Sequence, residues 1–151
     1  MYQRILCPID GSETSNCGMA EAINLAKALN AQLRFLHVID LYYPLMDVNG
    51  GINTVCIDDI LRKHGHKVLN HAQELANNAG VQADIKKVET VATRVSKLVL
   101  EEAKAWPADL IVMGTHGLRG VGRILMGSDA ETILRKSTVP VLLAKNTAKL
   151  N

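Results

Sequence analysis

The sequence predicts a single α/β domain in which parallel strands alternate with helices. Three observations predict it: short apolar runs alternate with stretches of helical periodicity, one run is apolar throughout, and the chain has 151 residues. Alternating strands and helices imply parallel strands joined by right-handed crossovers, with helices on both faces of the sheet. A chain of this length can bury one full core. We place the domain at residues 1–146 and expect residues 147–151 to form a flexible tail.

The beginning of the chain predicts a strand, a helix and a second strand. The apolar run Arg4–Ile9 stops at an Asp-Gly turn, and Ser12 is a suitable N-cap for a following helix. Apolar residues then recur at helical spacing until Asn30, which can end the helix in a left-handed turn. The run Leu33–Ile39 is the second predicted strand.

A second helix is predicted over Val55–Ala79, after about 15 residues without a regular pattern, a length that is often functional or mobile. Gly65 lies inside this helix and weakens the prediction of an unbroken one, and Gly80 is a plausible C-terminal cap. The residues expected on its buried stripe are Ile57, Ile60, Leu61, Val68, Ala72, Leu75 and Ala79.

The rest of the chain predicts three strands and two helices. Alternating residues over Val81–Ile85 are typical of an edge strand, and Thr93 is a candidate cap for a helix that ends near Trp106. The continuous apolar run Leu110–Met113 is typical of a strand buried on both faces. After a glycine-rich segment and a fourth helix, Val139–Ala144 is the last predicted strand.

Composition excludes several classes of protein. Hydrophobic residues make up 48% of the chain and charged residues 21%, as in globular proteins, and the net charge is only +2. We therefore expect no nucleic-acid partner and no membrane partner. The three cysteines form no CxxC pair, which favours reduced thiols. With no apolar run near the ~20 residues of a membrane span and no pattern of a signal peptide at the start, we expect a cytoplasmic protein.

The segment Gly114–Glu131 is the most informative part of the sequence. It holds five glycines, follows the most apolar strand and leads into a helix. Ser128 forms a capping-box pattern with Glu131, which places a helix start there, with free amides and the positive end of the helix dipole. Arg119 and Arg123 add positive charge. This chemistry favours an anion such as phosphate, although a purely structural turn is an alternative.

The segment is neither a Walker A loop, since no Gly-Lys-Ser or Gly-Lys-Thr follows, nor the dinucleotide fingerprint, which belongs after the first strand. The spacing Gly114-x2-Gly117-x9-Gly127-Ser128 resembles the ATP-binding motif of the universal stress protein family. The opening ILCPIDGS, the HVID and ADLIVMGTHG segments and the closing STVPVLLAK agree with it. The resemblance covers Tyr2–Lys145.

This resemblance implies a five-stranded parallel sheet of order 3-2-1-4-5, with a nucleotide across the carboxyl ends of the first and fourth strands. Asp10 would accept hydrogen bonds from ribose or adenine, and Val38 would contact adenine. Met113 and Gly114 would line the ribose. An alternative interpretation of Asp10 is that it caps the first helix.

The resemblance also implies that Gly117, Gly127 and Ser128 hold the phosphates of ATP, with or without Mg²⁺. The residues that we predict to bind the nucleotide are Pro8, Asp10, Val38, Met113, Gly114, Gly117, Arg119, Gly127, Ser128 and Asp129. We assign no catalytic residue and no metal ligand to the protein itself.

Asp129 departs from the family pattern, in which many nucleotide-binding members carry a small or apolar residue after the serine. Its carboxylate would stabilise the helix start by ~0.3–1 kcal/mol and would repel a triphosphate by roughly 1–4 kcal/mol. Arg119, Arg123 or Mg²⁺ could offset this repulsion.

The predicted function is a nucleotide-binding regulatory protein of the stress response. One alternative is an interaction protein of the same fold that binds no nucleotide. Another is a weak ATPase or self-phosphorylating protein with Ser128 or Thr115 as acceptor, although no nucleophile–base–orienter set is present. The resemblance also implies a homodimer, since family members commonly dimerise through the last strand, where Val139, Val141 and Leu143 would make the contact.

Other side chains have plain structural interpretations. We expect Cys7 to be a small core residue and Trp106 to anchor packing at a helix end. Three histidines of the second helix, His64, His66 and His71, are predicted to form an exposed face.

Overall fold

The computed structural model of the chain describes residues 1–41, 54–115 and 126–145, with the side chains of residues 57–115 in the middle part. The sheet order is β3-β2-β1-β4-β5 and every pairing is parallel, so the predicted fold is confirmed. The strands are β1 (Arg4–Pro8), β2 (Gln32–Asp40), β3 (Ala83–Thr90), β4 (Leu110–Gly114) and β5 (Val141–Ala144). The helices are α1 (Glu13–Leu29), α2 (Thr54–Asn78), α3 (Val95–Ala105) and α4 (Ser128–Lys136).

The helices cover both faces of the sheet, and strand alternation gives each face its own core. Ile5 and Cys7 of β1 point toward α1 and α2, whereas Leu6 points toward α3 and α4. Cys7 is fully buried, as predicted, and burial raises the pKa of its thiol. Trp106 packs against the second core, as predicted, and lies under the Arg34 guanidinium at 4.6 Å.

The strand order reverses between β1 and β4, which makes this the topological switch point. Here α1 lies directly on the end of β4. A Cβ atom on Gly18 would lie 2.6 Å from the Gly114 backbone nitrogen, and one on Gly114 would lie 2.2 Å from the Thr14 carbonyl oxygen. Two facing glycines therefore let the helix and strand backbones touch.

The ends of α1 follow the sequence prediction. The Ser12 hydroxyl accepts a hydrogen bond from the Ser15 amide at 3.1 Å, which is N-cap geometry. Asn30 closes the helix with φ 52° and donates its amide to the Ala26 carbonyl. Gly80, just beyond α2, also has a positive φ of 79°, as expected of a cap glycine.

The helix α2 runs through Gly65 without a break. A Cβ atom on Gly65 would lie 2.9 Å from the rings and methyl groups of His37 and Ile39, so the glycine allows close packing of α2 on β2. The predicted stripe was wrong at two positions: Ile60 is 64% exposed and Leu75 is 37% exposed. Ala72 of the predicted stripe is fully buried, and the other buried residues among the described side chains of α2 are Gly65, Leu69 and Ala76.

Two predicted boundaries in the second half were also wrong. The N-cap of α3 is Arg94, without a side-chain hydrogen bond, and Thr93 instead donates its amide to the Thr90 hydroxyl in the preceding turn. The strand β5 begins at Val141 and not at Val139, because the Ser137 hydroxyl bonds both the amide and the carbonyl of Val139 in a turn before Pro140.

Among the described residues, none of the helices combines the length and the apolar character that a membrane span requires.

We predict that Gly18→Ala lowers the free energy of unfolding by roughly 1–3 kcal/mol, because overpacking against a backbone cannot be relieved by a rotamer change. Alanine alone would favour the helix by ~1 kcal/mol, so the sign of the effect reports the contact with Gly114. Urea unfolding followed by circular dichroism measures it. Asn24→Ala, at an exposed position of the same helix, is the control and should change stability by under ~0.5 kcal/mol. A Gly18→Ala protein as stable as the wild type would contradict the close contact.

Candidate functional site

Three half-buried apolar side chains form a floor at the carboxyl ends of the central strands. Pro8, Val38 and Met113 each lie two residues beyond a core residue of the α3–α4 face, so alternation places them on that face. The pairing of Leu6 with Ile111 puts Pro8 and Met113 side by side at the switch point. We call these three residues the apolar floor. An apolar surface of this kind suits a flat aromatic ligand.

The turn between β1 and α1 is fixed by three hydrogen bonds. Asp10 Oδ1 accepts from the Ser12 amide at 2.9 Å, and the Ser15 hydroxyl accepts from the Asp10 amide at 3.0 Å. The N-cap bond between Ser12 and Ser15 completes the set. The cap of α1 is therefore Ser12, and Asp10 forms an Asx turn one step earlier. The turn holds the Asp10 carboxyl in place beside the end of β1.

The helix α4 starts at Gly127-Ser128, as predicted, but Ser128 is not its N-cap. Its N-cap is Gly127, which makes no side-chain bond, and Ser128 is the first helical residue. The Gly127 amide donates to the Thr115 carbonyl at 3.2 Å, so it is already satisfied by the backbone just after β4. This bond fixes the helix start beside β4, and it removes the Gly127 amide from the predicted set of phosphate donors.

The Asp129 side chain turns toward α3. Its Oδ1 accepts a hydrogen bond from the Ser96 amide at 3.1 Å, in the first turn of a helix whose own N-cap residue provides no side-chain bond. A carboxylate in this position stabilises the orphan amides and the positive end of the α3 dipole. Asp129 therefore has a structural function as the cap of a neighbouring helix, which explains why a charge is present there.

The starts of α1, α3 and α4 all lie at the carboxyl ends of the strands, because each of these helices runs antiparallel to the strand before it. In the first turn of α4, the amides of Ser128 and Asp129 precede Glu131, whose amide is the first intrahelical donor and bonds the Gly127 carbonyl. Ser128 is exposed and Asp129 is half-buried, and Ile133 of the same helix belongs to the core against which Val38 and Met113 pack. The helix dipoles make the carboxyl ends of the strands favourable for an anion.

Part of the predicted site lies outside the described residues. Gly117, Arg119 and Arg123 belong to residues 116–125, and the long stretch after β2 falls largely in residues 42–53. The tail 147–151 is likewise outside. The described members of the predicted site lie near one another: the apolar floor, Asp10 and the start of α4 are all at the carboxyl ends of the strands.

Gly114 has a packing function that the sequence did not predict, since the Thr14 carbonyl occupies the place of its side chain. Sequence reasoning also missed His37, which is only 5% exposed and has its Nδ1 2.8 Å from the Ile9 carbonyl oxygen. Because a carbonyl only accepts, Nδ1 carries the proton and the neutral ring fits this bond. Burial lowers the pKa of His37 below its ordinary 6.5, with the Ile9 bond and Asp10 opposing the shift and His64 adding to it.

A single α/β domain with a parallel sheet of order 3-2-1-4-5 defines the class of Rossmann-like domains. Comparison with known proteins identifies the family within this class. The profile of the Universal stress protein family matches residues 1–145. The chain belongs to the universal stress protein family.

Individual relatives support this assignment. A universal stress protein of Methanocaldococcus jannaschii is 33% identical over 149 residues, which cover 99% of this chain and 85% of that protein. A crystal structure of a family member from Burkholderia pseudomallei has a TM-score of 0.76 at 32% identity and covers 94% of this chain and 95% of its own. A universal stress protein solved in complex with cAMP has a TM-score of 0.65 at 28% identity, with 95% and 97% covered.

We predict that the protein loses stability as the pH falls below 6.5, where the unfolded chain binds a proton at His37 that the folded protein resists. The contribution of His37 to the free energy of unfolding is fully present above pH 6.5. It declines as the pH falls toward the lower pKa of the folded state, by at most ~1.4 kcal/mol per pH unit. Urea unfolding between pH 5 and pH 8 measures it. His37→Gln should flatten the dependence, whereas His66→Gln, at an exposed position, should not. Equal pH slopes in His37→Gln and the wild type would refute this.

We also predict that Asp129→Ala destabilises the protein by about 1 kcal/mol through loss of the Ser96 bond. Thermal and urea unfolding give the value. Glu131→Ala, in the same helical turn and exposed, is the matched control and should cost clearly less. If the two variants were equally stable, Asp129 would not be the cap of α3.

Proposed function

We propose that this protein is a regulatory protein of the stress response that binds an adenine nucleotide, ATP, across the carboxyl ends of β1 and β4. The observation that carries the proposal is the apolar floor of Pro8, Val38 and Met113 beside the start of α4. An apolar surface next to orphan helix amides fits the two halves of a nucleotide, a flat base and an anionic phosphate chain. The neighbour solved with cAMP, at 28% identity, supports the adenine base.

In this proposal each part of the nucleotide has a partner. Adenine lies on Val38, and Asp10 accepts hydrogen bonds from the nucleoside on the turn that Ser12 and Ser15 hold rigid. The Ser128 hydroxyl and the first amides of α4 hold phosphate. The Gly127 amide contributes nothing, because Thr115 already occupies it.

The bond between Asp129 and Ser96 bears on the preference for ATP. A carboxylate held by the α3 amide is partly compensated, so its repulsion of phosphates is smaller than that of a free carboxylate. Gly117, Arg119 and Mg²⁺ complete the phosphate site in the proposal. They extend the site from the adenosine part to the full triphosphate.

The proposal treats the protein as a binding protein and not as an enzyme. Thr115 is only 6% exposed and Ser128 is exposed, so Ser128 is the better acceptor if the protein phosphorylates itself. We further propose a cytoplasmic homodimer that pairs through β5. This edge strand has four half-buried residues, and Leu134 of α4 nearby is 45% exposed, so a second copy would cover apolar surface.

A specific observation favours the alternative of an interaction protein without nucleotide: the Gly127 amide, predicted to hold phosphate, is satisfied internally. The two functions differ in a direct measurement. Freshly purified protein is denatured and the released small molecules are identified by mass spectrometry. Stoichiometric ATP supports the proposal, and its absence together with no ATP-dependent melting shift supports the alternative.

We predict a melting shift that grows with ATP concentration and corresponds to ~2.7 kcal/mol at one hundred times the Kd. Val38→Asp should weaken ATP binding at least about tenfold, because it places a charge on the apolar floor. Val91→Asp is the matched control: it adds the same charge at the same edge of the sheet, at a residue that is 62% exposed, and should leave affinity within about twofold. Isothermal titration gives both values.

A second variant tests the phosphate end. Gly127 has φ −57° and ψ 146°, which valine tolerates, so Gly127→Val should fold and should crowd the start of α4. Its affinity for ATP should fall while that for adenosine changes little. Unchanged ATP affinity in both Val38→Asp and Gly127→Val would overturn the site.

A further inference from the structure

A cavity opens on the opposite face of the sheet from the apolar floor. It lies between α1 and α2 at the end of β1 and has a volume of about 240 Å³. Its inner wall is apolar and consists of Ile9, Met19 and Val68. Ile9 and Met19 are 6% and 4% exposed, so this wall is part of the core. The cavity is separate from the proposed nucleotide site, because Ile9 and Val38 point to opposite faces.

The mouth of this cavity carries three nitrogen side chains from one stripe of α2. His64, Lys67 and His71 are spaced by three and four residues, which places them on the same helical face. All three are exposed at the mouth and line the cavity. Lys67 is positively charged at neutral pH, and both imidazoles can donate hydrogen bonds. The described residues that line the cavity include no carboxylate, so the mouth favours an anion.

The wall of the cavity is held rigid before any ligand arrives. The His64 ring packs edge-on against His37 with 6.1 Å between ring centroids, and His37 is buried with Nδ1 2.8 Å from the Ile9 carbonyl oxygen. Gly11 has φ 83°, and a Cβ atom there would lie 2.9 Å from Val68 and 3.5 Å from His64. The turn and α2 therefore pack directly on each other. Preorganisation of this kind lowers the cost of binding a ligand.

Size and chemistry together define the ligand class. An engineered apolar cavity of ~150 Å³ is known to hold benzene. The cavity here is larger, about 240 Å³, and opens to solvent at its basic mouth. It can therefore hold one ring or a branched chain together with one small polar group.

We propose that the cavity between α1 and α2 binds a small organic monocarboxylate with an apolar body. The apolar body packs against Ile9, Met19 and Val68. The carboxylate lies at the mouth, where Lys67 provides the charge and His64 and His71 donate hydrogen bonds. The site uses no residue of the proposed nucleotide site, so it stands or falls independently of nucleotide binding.

Phenylacetate is the probe, and its uncharged isostere phenylacetamide is the matched ligand control. Both are titrated into nucleotide-free, ¹⁵N-labelled protein while amide resonances are followed by NMR. We expect saturable shifts at the amides of Asn16, Lys67 and His71, with phenylacetate bound about tenfold more tightly than phenylacetamide. Absence of saturable shifts in α1 and α2 at millimolar phenylacetate, or equal affinity for the two compounds, would overturn the proposal.

Two pairs of variants locate the ligand. Lys67→Met should weaken phenylacetate binding about tenfold, whereas Lys63→Met, one turn away and exposed but outside the cavity, should stay within about twofold. Asn16→Phe, at an exposed position of the mouth, should block binding, whereas Asn24→Phe on the same helix should not. All four positions are exposed, so the variants should fold. If each variant bound as its control does, phenylacetate would not occupy this cavity.

Discussion

The direct backbone contact between α1 and the end of β4 is the constraint on which the site depends. Gly18 and Gly114 face each other, and the Thr14 carbonyl fills the space where a side chain of residue 114 would be. Because no side chain separates the two elements, the start of α1 and the ends of β1 and β4 converge at the switch point. The bond from Gly127 to Thr115 then brings the start of α4 to the same place.

The turn between β1 and α1 separates two surfaces of different chemistry. On one face are the apolar floor and helix amides that suit a nucleotide, and on the other is a cavity with an apolar wall and a basic mouth. The Ser12 amide donates to Asp10, and His37 bonds the Ile9 carbonyl, so the turn is held from both sides. A rigid turn means that neither surface has to form when a ligand arrives.

The sequence predicted the sheet order through the family resemblance and most element boundaries through local chemistry. The caps Ser12 and Asn30 were predictable because a cap depends on neighbours within a few residues. Gly65 was misleading, since its reason is the approach of α2 to His37 and Ile39, which no local pattern encodes. The described residues of the proposed nucleotide site were predicted through the family resemblance, and the structure places them at the carboxyl ends of the strands.

Other features could not be predicted, because they join elements that are distant in the sequence. The bond that the Ser96 amide donates to Asp129 spans 33 positions, and it gives the Asp129 carboxylate a structural function as a helix cap. Likewise, the capping-box pattern at Ser128 predicted the position of the helix start, but the N-cap is Gly127, whose amide bonds the distant Thr115 carbonyl. The cavity between α1 and α2 could not be predicted either, because its lining combines residues of two helices that are distant in the sequence.

A crystal structure of the protein grown with ATP tests the central claim most directly. The account predicts difference density for adenine in van der Waals contact with Val38, with phosphate oxygens within hydrogen-bond distance of the Ser128 amide. Well-ordered crystals with ATP density elsewhere, or with an empty edge of the sheet at millimolar ATP, would contradict it.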